Sequence, residues 1–180
     1  MSRVSIQPQA VPAASQPLLD QIQQAFGATP NMFKAVSNSP AALQSMWGFF
    51  GALGKGTLGA RLGEQLAVAI ANANRCEYCL AAHTVLGQNA GATGADMAAA
   101  QVGRSDDPRT AAALAFALKV VGQRAQVDDA DFTSLRTAGF DDGQIVETKA
   151  HVPLTLFTNY INVALDVPVD FPGVGLRRAA

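Results

Sequence analysis

The chain is predicted to be all-α. Apolar residues recur at three- and four-residue intervals through most of its length, helix starts are marked by capping residues next to prolines and by paired aspartates, and no stretch alternates apolar and polar residues as a half-buried strand would. At 180 residues it is one domain by length, large enough to bury a core without staples. Its 49% hydrophobic content against 15% charged is high for a small monomer, and much of the excess is alanine. A helical protein with an extended subunit interface is the simplest reading.

Taken in order, residues 1–16 are rich in proline, alanine and glutamine and read as an extended N-terminal arm. Leu18, Leu19, Ile22 and Phe26 set a helical period from Pro17, with Gly27 as its stop. Pro30 opens a short second helix through Met32, Phe33 and Val36, and Ser39-Pro40 is a cap followed by proline at the first helical position. The helix it opens carries Leu43, Met46, Trp47, Phe50 and Leu53, a wide aromatic stripe that reads as core packing rather than as a substrate wall. After the break Gly54 to Gly56, Thr57 is expected to cap a helix from Leu58 to about Asn74, apolar all round at Leu66 to Ala71 and therefore buried on more than one side. A turn at residues 72–75 precedes a helix that ends at Gly91, and Thr93 caps a short alanine-rich one. Asp106-Asp107, Asp128-Asp129 and Asp141-Asp142 each stand at a helix start, where carboxylates cap orphan N–H groups and complement the helix dipole. They open helices of about 108–125, 129–138 and 142–165, the last kinked near Pro153. The tail 166–180, broken by glycine and proline and ending Arg177-Arg178, reads as a C-terminal arm flanking the domain 17–165.

A formal net charge of −1 with no basic stripe argues against a nucleic-acid partner. No apolar run approaches the roughly 18 residues of a membrane span, and the N-terminus has no secretory pattern, so a cytoplasmic, membrane-free protein is the default.

The chemistry concentrates in residues 64–83, EQLAVAIANANRCEYCLAAH, which hold both cysteines, one of the two histidines and a carboxylate. On a helix from Arg75 to Asn89, Cys76, Cys79 and His83 would fall within an arc of roughly 60°. Thiols three residues apart are close enough to form a disulfide, and His83 is one turn from Cys79, within reach to help form a thiolate. A paired CxxC in a reducing compartment reads as redox or metal chemistry rather than a staple. From its position alone Glu64 reads as a solvated helix glutamate. His151 reads as a hydrogen-bonded helix histidine, and with Phe157, Asn159, Tyr160 and Asn162 it is a candidate for the site wall.

Glu64, eleven residues, Cys76-Glu77-Tyr78-Cys79, three residues and His83 resembles the E-x11-C-x2-C-x3-H signature of the alkylhydroperoxidase D-like branch of the carboxymuconolactone decarboxylase superfamily. RCEYCLAAHTVLG and LFTNYINVALDVPVDFP are similar to its peroxidase-related subgroup. The resemblance implies a single-domain, multi-helix alkylhydroperoxidase D-like fold and a thiol-dependent hydroperoxide reductase without a cofactor. It implies that Cys79 is the peroxidatic cysteine, Cys76 the resolving one, and Glu64 and His83 the proton relay. The implied partners are a hydroperoxide, a thioredoxin-like or other dithiol reductant, and further copies of the chain in a trimer or hexamer. In the best-known peroxidases of the family a histidine of the relay stands immediately before the second cysteine. Here that position is Tyr78, whose phenol, with a pKa near 10, is a poor proton carrier at neutral pH. The alternatives are a zinc site on Cys76, Cys79 and His83 with Glu64 or His151, a redox-responsive binding module without turnover, and a lactone decarboxylase, whose branch lacks the CxxC.

Overall fold

The computed structural model describes residues 2–7, 9 and 11–177; Arg178 and the other residues beyond these lie outside the described residues. The fold is all-α, as the periodicity predicts. Among the described residues it comprises α1 (Gln16–Phe26), α2 (Asn31–Val36), α3 (Pro40–Leu53), α4 (Ala60–Ala73), α5 (Glu77–Asn89), α6 (Gly94–Ala100), α7 (Pro108–Gly122), α8 (Asp129–Thr137) and α9 (Asp142–Ala164), with a 3-10 turn at Ala13–Ser15. None of these helices is long and apolar enough to cross a membrane.

The predicted caps form where local chemistry favours them. Ser39 accepts from the Ala42 N–H, and Thr93, Asp128 and Asp141 make reciprocal capping boxes with Asp96, Asp131 and Gln144. One aspartate of each pair does the capping: Asp107, Asp128 and Asp141. Gly27 closes α1 at φ 72, a left-handed conformation that glycine adopts without steric cost.

Thr57 departs from expectation. It does not cap α4, which starts at Ala60 behind Gly59 in a positive-φ conformation. The Thr57 and Leu58 N–H groups instead donate to the Glu147 carboxylate of α9, at 2.7 and 3.1 Å. A distant carboxylate satisfies this stretch, so the chain has no need to enter the helix early. The helix at 108 stops at Gly122, three residues short, because Arg124 and Ala125 adopt left-handed conformations. Helix α9 runs through Pro153, which is exposed.

Helix α4 is the central element and packs against α5, α6, α7 and α9. Its residues from Gln65 to Asn72 are all buried, in line with their apolar character on every side. Both terminal segments lie against their own chain. The Arg3 N–H donates to the Leu165 carbonyl at the end of α9, and Asn72 of α4 exchanges hydrogen bonds with the Arg177 backbone.

Candidate active site

The junction between α4 and α5 sets the positions of both sulfurs. At the end of α4 the Arg75 N–H donates to the Asn72 carbonyl and the Cys76 N–H to the Ala71 carbonyl, with Arg75 left-handed at φ 57. This is a Schellman closure with arginine where glycine is usual. It turns the chain so sharply that Cys76, still bonded to α4, is already the N-cap of α5. Its backbone is extended (φ −91, ψ 92), and its Sγ accepts from the Cys79 N–H at 3.3 Å. The sequence expectation that Cys76 lies within the helix is therefore corrected, because the closure of α4 takes that residue out of helical geometry. Cys79 lies in the first turn of α5, where the partial positive charge of the helix start favours a thiolate.

Both cysteines are buried and reduced. Burial disfavours a Cys79 thiolate, but the hydrogen bond from Cys76, the charge of His83 and the amide of Asn162 outweigh it and bring the thiol down from 9.0 to about 6. Its hydrogen bond to Cys79 raises Cys76, followed by burial and the charge on Cys79. The two thiols are thus electrostatically unequal: Cys79 holds the charge and Cys76 holds the proton.

Glu64, on α4, faces α5, and its Oε2 lies 2.6 Å from His83 Nδ1. Burial works against a charged His83, yet the Glu64 charge and hydrogen bond, with help from Cys79, raise its pKa overall. His151 moves the other way. It is pushed down by burial, against the pull of Glu64 and Glu147 and with repulsion from His83. Its ring packs so closely on Gly63 that a Cβ there would lie 3.0 Å from it, and it has no ring hydrogen bond among the described residues. The expected hydrogen-bonded helix histidine is instead a neutral ring at the edge of a cavity.

That cavity, of about 200 Å³, is lined by Glu64, His83, His151, Thr158, Phe50 and the glycines of the α3–α4 turn. A second, apolar pocket of about 40 Å³ reaches Cys79 and His83 between Phe33, Phe50, Tyr78 and Phe171. His83 and Phe50 border both spaces, so Phe50 is part of the site wall that the sequence assigned to plain core packing.

Helix α9, from which the sequence drew Asn159 and Asn162 as candidates for the site wall, lies across from Cys79 and supplies the other wall. Asn162 Nδ2 donates to Cys79 Sγ at 3.1 Å, and Thr158 Oγ1 lies 3.9 Å from the same sulfur. Asn159 accepts from Asn74, while its own Nδ2 and Asn162 Oδ1 are buried without a partner among the described residues. Positions 155, 158, 159 and 162 share one helical face, and four polar residues on a buried face were the available signal. Tyr160 points away and is exposed, and Phe157 packs on the core. Tyr78 is turned from the relay altogether. Its hydroxyl accepts the Met32 N–H at 3.1 Å at the start of α2, its ring meets Phe171 edge-on, and burial raises its pKa.

Among the described residues no three His, Cys, Asp or Glu side chains form a metal-ligand set, so the zinc alternative finds no cluster.

A model of the carboxymuconolactone decarboxylase family matches residues 40–123, from α3 to the end of α7. The crystal structure of an uncharacterized peroxidase-related protein from Ralstonia eutropha JMP134, described as an alkylhydroperoxidase AhpD core, superposes with a TM-score of 0.86 at 26% identity, covering 94% of this chain and 92% of that one. Over α3 to α7 the chain thus matches the carboxymuconolactone decarboxylase family, and over nearly its whole length it is similar to an alkylhydroperoxidase D-like core. An uncharacterized peroxidase-related protein from Silicibacter sp. TM1040 shares the fold of this chain with a TM-score of 0.82 at 23% identity, over 93% of this chain and 91% of that one. So does the debrominase Bmp8, solved as a C82A variant in complex with 2,3,4-tribromopyrrole, with a TM-score of 0.78 at 21% identity over 93% and 91% of the two chains. No curated protein sequence matches the chain. The family match and the close cysteine pair together are consistent with a thiol-dependent redox enzyme.

Proposed function

We propose that the protein is a hydroperoxide reductase in which Cys79 is the peroxidatic cysteine and Cys76 the resolving one. The observation that carries this reading is the setting of Cys79: it lies in the first turn of α5, accepts the Asn162 amide on its sulfur at 3.1 Å, and stands one turn from the His83–Glu64 pair, surroundings that favour its thiolate. The Cys79 thiolate attacks the distal oxygen of ROOH, the O–O bond breaks, and the leaving alkoxide takes a proton from His83, giving Cys79–SOH and ROH. Glu64 holds the imidazolium and helps it regain a proton. Cys76–SH then condenses with the sulfenic acid, releasing water and forming the Cys76–Cys79 disulfide, and an external dithiol restores both thiols.

The size of the pocket at Cys79 bears on the substrate. About 40 Å³ admits only a few water-sized groups, room for a peroxide head but not for a tribrominated pyrrole without displacement of the aromatic wall. This favours peroxide over the dehalogenation suggested by the fold of Bmp8. The reading also implies a cytoplasmic homo-oligomer, a trimer or hexamer, built from domain 17–165 with an arm at each end; light scattering at the monomer mass would contradict the assembly.

The deciding experiment is peroxide consumption with a dithiol donor, alongside mass spectrometry of Cys76→Ser after one equivalent of hydroperoxide. Turnover by the parent and a sulfenic acid at Cys79 in the variant are the expected results. A disulfide that forms without turnover would leave a redox-responsive binding module, and a Cys79 that stays unoxidised in the Cys76→Ser variant would overturn its role as the peroxidatic cysteine.

A further inference from the structure

The two sulfurs of the pair face different openings. Cys79 borders the aromatic pocket shared with His83. Cys76 borders a separate groove of about 360 Å³, together with Arg75, Glu77, Asn162, Val163 and Val169. The groove meets Asn162, whose amide is bonded to Cys79, rather than Cys79 itself.

The geometry points to Cys76 as the sulfur that a reducing thiol attacks, entering through this groove while the peroxide reaches Cys79 from the aromatic side. The inference rests on the dithiol cycle proposed above and assigns the place and regiochemistry of its reducing half. A thiolate RS⁻ attacks Cys76 Sγ of the disulfide, the S–S bond breaks, and its electron pair leaves on Cys79. The products are the mixed disulfide R–S–S–Cys76 and the Cys79 thiolate. The second thiol of the reductant, as thiolate, then attacks the R sulfur and expels Cys76, which takes up a proton. Two electrons have passed, and the reductant leaves as its own disulfide.

Access is one argument and leaving-group chemistry is a second, independent one. Exchange is faster when the departing thiol is the more acidic, and here the thiol of about 6 is Cys79, while Cys76 is held above its ordinary value. Attack at Cys79 would have to expel the poorer leaving group from the more enclosed side. The rim is apolar with charges of both signs: Val163 and Val169 are 51% and 42% exposed, and Arg75 stands beside the carboxylates Glu77 and Asp166, so the apolar surface rather than net charge is what the rim offers a carrier.

The test forms the disulfide with diamide, so that it is independent of peroxide turnover. The oxidised protein is treated briefly with excess glutathione, quenched in acid, alkylated with N-ethylmaleimide and mapped by tandem mass spectrometry. Glutathione on Cys76 with maleimide on Cys79, at least tenfold over the reverse pattern, is expected. Equal adducts or a preference for Cys79 overturn the inference. Filling the groove with Val163→Trp, with folding checked by circular dichroism, is expected to lower the second-order rate constant for glutathione at least tenfold, and reduction at the parent rate overturns the assigned entrance. Failure of the peroxidase reading would show instead as an absence of hydroperoxide consumption, with the adduct pattern unaffected.

Discussion

Replacing Glu64 by glutamine isolates the electrostatic core of the site. The amide keeps the size of the side chain and a hydrogen-bond acceptor for His83 Nδ1, now 2.6 Å from the carboxylate, and removes only the charge. Without that charge, burial is the strongest influence left on His83 and favours the neutral ring, so Cys79 loses an adjacent cation. At pH 7 a thiol of pKa 9 is about 1% ionised and one of pKa 6 about 90%, roughly a ninetyfold difference in thiolate. The gain in rate is much smaller, because a Brønsted coefficient of about 0.4–0.5 over three units lowers the reactivity of the more acidic thiolate by roughly 15- to 30-fold. Alkylation at neutral pH would therefore differ only a few-fold, and the informative quantity is the midpoint of the pH profile. For Cys79 labelled with iodoacetamide and quantified by peptide mapping, the parent midpoint should lie near 6. In Glu64→Gln it should rise by about one unit or more, which corresponds to about 1.4 kcal/mol of lost thiolate stabilisation. Both profiles should converge above pH 9, where the thiol ionises unaided. Peroxide reduction at pH 7 should fall at least about tenfold, because the proton donor is weakened along with the nucleophile. Midpoints within about 0.3 units of each other would refute the reasoning and remove Glu64 from the mechanism.

Tyr78→Phe should cost about 1–3 kcal/mol by leaving the buried Met32 N–H without its acceptor, measured by denaturant melts, with the Cys79 midpoint essentially unmoved; a large midpoint shift would return Tyr78 to the relay. Gly87→Ala drives a Cβ into the Met97 thioether and places it 3.3 Å from Glu64 Cβ, so thermal melts should show a loss of about 1–3 kcal/mol through overpacking. A neutral result there would mean that Met97 can move aside. Arg75→Gly should stabilise the fold by up to about 1 kcal/mol by relieving its left-handed backbone, less the extra entropy of glycine in the unfolded chain; destabilisation would show that the arginine side chain outweighs the strain.

Helix caps are legible in sequence because the bonds that make them join neighbours. Ser39 to Ala42, Thr93 to Asp96 and Asp141 to Gln144 are each three residues apart, and residue type at that spacing is enough to place the helix start. The pairing of Glu64 with His83 was legible only through the family spacing, since the helix pattern alone left Glu64 on a solvated face. Thr57 misled for the opposite reason: the group that satisfies its N–H, Glu147, is ninety positions away and its approach leaves no local trace.

By itself the sequence determined the helical class, the caps and which residues carry sulfur, imidazole and carboxylate, because these depend on residue type and near spacing. Only the tertiary structure decided that Arg75 closes α4 so that Cys76 caps α5, that Tyr78 serves the start of α2, and that α9 lies across α5 with Asn162 on Cys79. The closure at Arg75 is local but turns on a left-handed arginine that residue type does not announce, whereas the Tyr78 and Asn162 contacts depend on the register in which distant helices pack, and register follows from the fit of whole buried faces rather than from any local signal.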